Sequence, residues 1–404
     1  MRIWIVNQFA VSPKEPGGTR HYALARALIR AGNQVVIVGS NFNYVLRGRR
    51  ATESVAPGLQ LVEGVPFFRV SVPAYQANTL AKLWSMLSFA ARVLRVRVEK
   101  IGFPPDVIVG SSPHLFGAWA AERLARRLGV PFVLEVRDLW PQSLIDVGGL
   151  SRHHPLVIFM RWLERGLYRR ANHIVSLLPG AAAYMTAMGA DASKIAWIPN
   201  GIDLAATPLL PPPPREGPFT VLYLGAHGVA NGLDSILNAA QALETEGRAG
   251  RLRFRFVGDG PERLRLMARA KEAGLDYVEF MPAIPRGEVS TVLAGAHACI
   301  LTLRDSPLYR WGISLNKIFD YLAAARPIVF GAGATQNPVA EAEAGIIVPP
   351  ENGGLMADAV RRLMTMTDAQ RAEMGRRGRL YAERHHDTQL LATRFADVLR
   401  RVIR

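Results

Sequence analysis

A basic residue and a carboxylate stand three residues apart near the start of a predicted helix, as Lys317 and Asp320 in the segment Ser314–Tyr321. Residues at this spacing share one helix face, and the amino end of a helix favours anions. Ser314 is expected to cap this helix. The pair could hold a phosphate through Lys317 and ribose hydroxyls through Asp320. The alternative is a solvated ion pair of little energetic weight.

Three loops that contain glycine or proline follow predicted strands in the second half of the chain. They are Gly225–Gly228, Gly258–Pro261 and Ala283–Pro285. Glycine lets a backbone approach a ligand closely, and a doubly wound sheet binds ligands beyond the carboxyl ends of its strands. Three such loops at one sheet edge favour a nucleotide crevice over three unrelated turns.

The first half of the chain has two candidate segments. Glu15–Arg20 contains Gly17 and Gly18 between the first predicted strand and helix, where backbone N–H groups can meet an anion. It is neither a dinucleotide fingerprint nor a P-loop, and a tight turn is an equally weighted alternative. Arg137 and Asp138 directly follow another predicted strand. Charged residues there are more often functional than packing residues, although an internal salt bridge stays open.

Short apolar runs alternate with helical patterns along the chain, which is typical of βαβ units and parallel sheets. The segment 207–218 contains six prolines and interrupts this alternation, so we predict a stiff connector there. We therefore expect two doubly wound, Rossmann-like α/β domains, residues 1–205 and 206–387, that face each other across a cleft. The amphipathic helix at 388–404 is expected to return to the first domain.

Composition excludes several classes of protein. The 404 residues are 49% hydrophobic and 20% charged, which is typical of a globular protein. The single cysteine, Cys299, excludes an internal disulfide framework and a cysteine-clustered zinc site, and it indicates a reducing compartment. A spanning helix needs about 20 apolar residues, and no run approaches that length. With no signal-peptide pattern at the start, we expect a soluble cytoplasmic protein.

The net charge of +16 is concentrated in residues 1–204, which carry +12 of it. Such a bias indicates a surface that meets nucleic acid, anionic lipid or phosphorylated substrates. No nucleic-acid-binding module is recognisable, so no nucleic-acid partner is expected. Lys82–Lys100 and Arg152–Arg170 interleave aromatic and basic residues, a pattern typical of helices on anionic membranes. Packing of their apolar faces in the core is the alternative.

These motifs together resemble glycosyltransferase family 4, a family of retaining enzymes of GT-B fold. The likeness spans nearly the whole chain and is carried by Gly17–Gly18, Ile198–Asp203, Phe256–Pro261 and Ala344–Pro350. A narrower likeness is to bacterial O-antigen and capsule enzymes similar to the fucosamine transferases. It is carried by Gly18–Tyr22, Arg137–Pro141 and Asn316–Tyr321.

The resemblance implies a hexosyltransferase that moves a sugar, for example an N-acetylated deoxy-hexosamine, from a nucleotide diphosphate donor with retention. UDP is the expected nucleotide, and a polyprenyl-diphosphate-linked saccharide of surface polysaccharide synthesis is the expected acceptor. Neither a metal nor a cofactor is expected, and the sequence has no Asp-x-Asp metal motif. The enzyme is expected as a peripheral protein on the anionic inner face of the plasma membrane. A nucleotide-sugar epimerase or a non-catalytic sugar-nucleotide binder is the alternative.

Roles of single residues also follow from the resemblance. Asp320 matches the second acid of a pair that binds ribose, whereas Gly312 stands in place of the first. Lys317, Arg310 and the N–H groups near Gly17 would meet the diphosphate. The expected catalytic residues are Asp138, Arg137 and Lys317. The expected donor-binding residues are Gly17, Gly18, Arg20, Gly225, His227, Gly258, Ile284, Arg310, Ser314, Asn316 and Asp320.

Overall fold

The computed structural model describes residues 1–13, 15, 17–43, 54–75, 79–246, 249–334 and 336–404, so Pro16 of the predicted glycine turn lies outside the described residues. The chain divides into a first unit, Met1–Asn200 with Thr388–Arg404, and a second unit, Gly201–Asp387. The boundary precedes the expected position at 205. The reason is that the Ile202 backbone N–H donates to the His386 carbonyl at 2.8 Å, which ties this segment to the second unit.

In the described part of the first unit, eight strands form one sheet in the order β3-β4-β2-β1-β5-β6-β7-β8, and only the β3–β4 pairing is antiparallel. The strands are β1 (Arg2–Val6), β2 (Gln34–Ser40), β3 (Gly58–Val62), β4 (Val65–Val70), β5 (Val107–Ser111), β6 (Phe132–Val136), β7 (His173–Ser176) and β8 (Ile195–Trp197). The helices are α1 (Arg20–Arg30), α2 (Thr79–Val93), α3 (Val98–Ile101), α4 (Leu115–Leu128), α5 (Gln142–Asp146), α6 (Pro155–Arg170), α7 (Ala181–Ala187) and, from the end of the chain, α15 (Thr388–Ile403).

Helices cover both faces of this sheet, because successive side chains of a strand point to opposite sides. Ile5 packs with Leu24 of α1 and Phe395 of α15 on one face. Gly110 of β5 faces the other side, where a Cβ would lie 2.9 Å from the Cβ of Ala121 in α4. Helices α2 and α6 pack against α4 on that side. The two basic segments singled out in the sequence therefore form neighbouring parts of one helical layer.

The described part of the second unit is a parallel sheet of six strands in the order β11-β10-β9-β12-β13-β14. The strands are β9 (Phe219–Leu224), β10 (Leu252–Val257), β11 (Val278–Met281), β12 (Ala298–Thr302), β13 (Ile328–Gly331) and β14 (Gly345–Val348). The helices are α8 (Asp234–Thr245), α9 (Arg263–Glu272), α10 (Val289–Ala294), α11 (Asn316–Ala323), α12 (Pro338–Glu341), α13 (Gly353–Thr365) and α14 (Asp368–His385). The strand order reverses beside β9, between β10 and β12.

Sequence reasoning missed α14, because this helix has no clear apolar stripe. A capping box at Thr367 and Gln370 starts it. Small residues then allow close packing, since a Cβ at Gly375 would lie 2.0 Å from the Ala325 carbonyl oxygen. Among the described residues, no helix combines the length and the apolar character that crossing a membrane requires.

Candidate functional site

The carboxyl edge of the second sheet gathers most of the predicted donor-binding residues. All six strands are parallel, so the loops after β9, β10, β11 and β12 leave the sheet at the same edge. Ligands of such sheets bind beyond the strand ends where the strand order reverses, which here is next to β9. The predicted residues in these loops and on α11 are Gly225, His227, Gly258, Ile284, Arg310, Ser314, Asn316, Lys317 and Asp320.

Lys317 reaches from α11 to the end of β9. Its Nζ donates to the Tyr223 hydroxyl at 2.9 Å and to the Asn231 Oδ1 at 2.7 Å. Tyr223 and the Asn231 amide both donate to the Ala226 carbonyl, at 2.7 and 2.9 Å. Neutral groups thus anchor the amine, and burial lowers the pKa of Lys317 to about 7. Because these neutral groups do not compensate the charge of the Lys317 ammonium, a phosphate oxygen of a ligand would form a strong hydrogen bond with it.

Two glycines bring the β9 and β10 loops into direct backbone contact. A Cβ at Gly258, whose φ is +149°, would lie 1.9 Å from the Gly225 carbonyl oxygen. A Cβ at Gly225 would lie 3.1 Å from the Lys317 Cε. Close approach of the backbone and the amine therefore requires glycine at both positions.

His227 does not offer its ring to a ligand. The residue is 0% exposed and packs among the rings of Tyr223, Phe256 and Phe280. Neither ring nitrogen has a hydrogen-bond partner among the described residues. Burial, followed by the charge of Arg263, lowers the pKa of His227 to about 4, so the ring is neutral. The aromatic cluster encloses the His227 side chain in the structure. The ring therefore does not reach the position at which we predicted a contact with the donor.

Asp320 is held by Arg286, a residue that sequence reasoning missed. Arg286 lies in the loop after β11 and donates through Nη1 to Oδ2 at 2.8 Å and through Nη2 to Oδ1 at 2.5 Å. The Asp320 side chain is 10% exposed and that of Arg286 is 42% exposed. A carboxylate that accepts two hydrogen bonds keeps lone pairs for two more. Asp320 can therefore still accept ribose hydroxyls while Arg286 balances its charge.

The start of α11 differs from the prediction. The helix begins at Asn316 with Leu315 as its N-cap, and Leu315 makes no side-chain capping bond. The predicted cap by Ser314 is wrong, because Leu315 is still extended, with φ −81° and ψ 123°. Nearby, Arg310 lies 4.8 Å from the ring centre of Trp311. The Ile284 side chain is partly buried against the core. Its contact with the donor stays a prediction.

In the first unit, Arg20 is enclosed in a buried network. Its Nε donates to the Glu135 Oε2 at 2.9 Å, and its Nη2 donates to the Ile198 carbonyl at 3.0 Å. His21 Nε2 lies 2.8 Å from the other Glu135 oxygen, to which Ser111 donates at 2.7 Å. Side-chain exposures are only 3% for Arg20 and 1% for Glu135. The predicted donor contact of Arg20 is thus replaced by a packing role.

The other predicted residues of the first unit lie at loop positions. Gly17, with φ +135°, and Gly18 precede α1. Arg137 directly follows β6, and its backbone N–H donates to the Ser112 Oγ at 2.8 Å. Asp138 is exposed. The roles of these four residues stay predictions.

We expect Glu135→Gln to lower the free energy of unfolding by about 3 kcal/mol, because it leaves the buried Arg20 charge uncompensated. Burial lowers the pKa of His21. Against burial, the charge of Arg20 and the hydrogen bond to His21 hold the pKa of Glu135 well below its usual range. The unfolded chain therefore binds more protons in acid, and wild-type stability should fall as the pH drops below about 6.5.

Urea denaturation at pH 7 and pH 5 measures both effects of the Glu135 network. The matched control is Glu99→Gln, which removes an exposed carboxylate from the same unit. Equal stability of the Glu135 and Glu99 variants at pH 7 would contradict the structural role of the network.

Comparison with known families decides the class of this chain. Residues 17–201 match the family described as Glycosyl transferase 4-like domain. Residues 218–366 match the family described as Glycosyl transferases group 1. The chain is a glycosyltransferase of GT-B type. The first match covers most of the first unit of this glycosyltransferase, and the second match lies within its second unit.

Relatives and solved structures agree with this assignment. The glycosyltransferase is 24% identical over 360 residues to the 2-deoxystreptamine glucosyltransferase of Streptomyces kanamyceticus. The aligned region covers 84% of this chain and 87% of that protein. Sucrose-phosphate synthase from Thermosynechococcus elongatus superposes with a TM-score of 0.77 at 18% identity, covering 99% of this chain and 98% of that one.

Two further structures share the fold of the glycosyltransferase. HepE of Anabaena, solved with UDP-glucose, gives a TM-score of 0.68 at 14% identity, covering 99% of this chain and 100% of that one. The lipopolysaccharide outer core galactosyltransferase WaaB gives 0.60 at 14% identity, covering 99% of both chains. The predicted fold class, two doubly wound α/β domains of GT-B type, is confirmed.

Proposed function

We propose that this glycosyltransferase transfers a sugar from UDP, with retention of configuration and without a metal, to a lipid-linked saccharide of surface polysaccharide synthesis. The observation that carries the donor part is the Lys317 amine. It lies at the β9 edge, is anchored by Tyr223 and Asn231, and stands one helical turn from Asp320. The UDP-glucose bound to HepE supports the choice of nucleotide.

In the proposed donor site, two side chains of α11 bind different parts of the nucleotide. Lys317 meets the diphosphate, and Asp320 accepts the ribose hydroxyls while Arg286 compensates its charge. The backbone N–H groups at the start of α11 add a second source of positive potential, and the N-cap residue Leu315 makes no side-chain bond to them. Uracil is expected at the backbone of the loop around Ile284.

The chemical step needs stabilisation of a leaving group. The bond between the anomeric carbon and the diphosphate oxygen breaks, and UDP leaves with the electron pair. The acceptor hydroxyl oxygen bonds the same carbon, and its proton passes to a phosphate oxygen of the departing UDP. Lys317 stabilises the charge that develops on the diphosphate. Arg137 and Asp138 are proposed to contact the transferred sugar.

A thermal-shift screen tests the donor. UDP at 100 times its dissociation constant should add about 2.7 kcal/mol to the stability of the protein. We expect a clear rise in melting temperature with UDP and UDP-sugars, smaller rises with GDP and ADP, and the same result with and without magnesium. Flat curves for every nucleotide would overturn the donor proposal. Conversion of a UDP-sugar to its epimer without release of UDP would favour the epimerase alternative.

The acceptor part of the proposal places the enzyme on the inner face of the plasma membrane. Trp84 of α2 is 63% exposed and Trp162 of α6 is 66% exposed, in the same helical layer. Phe89 of the same helix is buried, as the packing alternative predicts, whereas Trp84 is exposed. The core therefore covers only part of the apolar face of α2. Exposed aromatic and basic side chains on one layer suit an anionic bilayer surface. WaaB, a lipopolysaccharide galactosyltransferase by its name, supports the class of acceptor.

Vesicle flotation tests the membrane location. We expect the protein to float with vesicles of phosphatidylcholine containing 20% phosphatidylglycerol at low salt, because each basic residue near an anionic surface adds about 1 kcal/mol. Binding should weaken as salt rises. Vesicles of phosphatidylcholine alone are the control. Failure to float with the anionic vesicles at low salt would contradict the proposed location and leave the donor proposal standing.

A further inference from the structure

The outer face of α6 carries a cavity of about 400 Å³ in the first unit. Its lining has no acidic residue. The five basic residues that line it are Arg152, Arg161, Arg165, Arg169 and Arg170. Guanidinium groups concentrated around one opening repel each other, so an anion placed between them would stabilise the arrangement.

Several of these arginines are held in place rather than free in solvent. Arg161 donates through Nη2 to the Gln142 Oε1 at 3.2 Å. The Nε of Arg170 lies 3.3 Å from the Glu122 Oε1. Glu122 is the one carboxylate that pairs with the five arginines among the described residues. The positive charge of the cavity is therefore largely uncompensated.

Gly166 lies against a guanidinium group that lines the cavity. Gly166 stands in the middle of α6, where glycine costs about 0.5–1 kcal/mol relative to alanine. A Cβ there would lie 2.9 Å from the Nη2 of Arg170. A larger side chain at position 166 would therefore displace the Arg170 guanidinium from its present position.

The acid nearest in sequence does not neutralise the cavity. Glu164 is 1% exposed and accepts hydrogen bonds from Tyr168 at 3.0 Å and Tyr184 at 3.2 Å. Burial, against the hydrogen bonds of these two tyrosines, raises the pKa of Glu164 to about 7. About half of the Glu164 carboxyl groups are ionised at neutral pH, so this acid offsets the charge of the five arginines only in small part.

We propose that this cavity binds the phosphoryl headgroup of an anionic membrane lipid. Ile158 and Trp162, which also line it, are 56% and 66% exposed. Phe159 is 48% exposed and stacks on Trp162 at 6.0 Å. An apolar rim beside a phosphate-binding centre fits a ligand with a phosphoryl group and a hydrocarbon chain. The inference rests on the membrane location proposed above and refines it from a charged surface to one defined site.

Three variants and vesicle flotation test the cavity. Arg161→Gln/Arg165→Gln/Arg169→Gln removes three cavity charges. Arg30→Gln/Arg394→Gln/Arg401→Gln removes three exposed charges from α1 and α15, on the opposite face of the same sheet. Gly166→Leu fills the cavity without a change in net charge. The probes are phosphatidylcholine vesicles with 20% phosphatidylglycerol, and soluble inorganic diphosphate as a competitor.

We expect the cavity triple variant to bind these vesicles about 100-fold more weakly. The matched triple variant should lose less than about threefold, because its charges lie away from the bilayer. Gly166→Leu should lose about tenfold or more, since it displaces Arg170 from its place. Millimolar diphosphate should compete with the vesicles for the wild-type protein.

Equal loss in the two triple variants, or unchanged binding by Gly166→Leu, would overturn the site and leave only a diffuse charged surface. Competition by diphosphate that is equally strong in the cavity triple variant would also overturn it. All variants should keep the wild-type thermal shift with UDP, which shows that they fold. Failure of the donor proposal would appear separately, as no UDP shift in the wild-type protein.

Discussion

Lys317→Met is expected to lower kcat/KM by about 100- to 1000-fold, which is the usual loss when one preorganised group that stabilises developing charge is removed. The Lys317 Nζ is held by the Tyr223 hydroxyl and the Asn231 amide oxygen, so no other cation moves into its place without rearrangement. Initial rates of UDP release with a UDP-sugar and a membrane extract as acceptor source measure the effect. The matched control is Lys271→Met, which removes an exposed lysine from α9 of the same unit.

The same residue predicts a pH dependence with a definite sign. Because the pKa of Lys317 is lowered to about 7, the free enzyme loses this cation as the pH rises. The kcat/KM value reports groups of the free enzyme, so it should fall by about tenfold per unit well above pH 7. Lys317→Arg should keep its charge and stay level between pH 7 and 9. A level wild-type profile over this range, or wild-type activity in Lys317→Met, would contradict the assignment.

The second large effect is expected at Asp320. Asp320→Ala should raise the dissociation constant for UDP by about 100-fold, because it removes the acceptor of two charge-assisted hydrogen bonds, each of about 1.5–3 kcal/mol. It also leaves the Arg286 guanidinium without its carboxylate partner. Isothermal titration with UDP and with 2′-deoxy-UDP measures both the loss and its cause.

The deoxy nucleotide separates ribose binding from a general loss of structure. The wild-type protein should prefer UDP over 2′-deoxy-UDP by about tenfold, and Asp320→Ala should show almost no preference. Asp276→Ala removes an exposed acid of the same unit and serves as the control. Arg286→Gln should weaken both nucleotides but keep the preference. Equal affinity of the wild-type protein for the two nucleotides would contradict the assignment of Asp320 to the ribose hydroxyls.

The sheet architecture of this protein could be read from local patterns. Apolar runs such as those of β9 and β12 are buried on both faces, so they stand out in the sequence without knowledge of their neighbours. Glycine at 225 and 258 marks the loops in which backbones approach closely, because no other residue fits there. The weakly patterned α14 escaped this reasoning, since its packing depends on small residues against a neighbouring loop.

The same reasoning could not predict which residues pair with the functional side chains. Arg286 and Asp320 are far apart in the chain and meet only because the β11 loop and α11 share one edge of the sheet. Arg20 and His227 look equally suitable for a ligand in the sequence, yet one is taken up by Glu135 and the other is enclosed by aromatic rings. Whether a polar side chain is free depends on which distant residues surround it.

The sequence alone therefore established two doubly wound domains and the glycine loops at their strand ends, because periodicity, chain stiffness and the lack of a side chain are local properties. The class of chemistry came from the resemblance of its motifs to a known family. Folding in three dimensions assigned the pairing of Asp320 with Arg286, the neutral anchorage of Lys317 and the arginine cavity around Gly166. These features depend on contacts between residues distant in sequence and on the burial that such contacts create, and neither is encoded in any single segment.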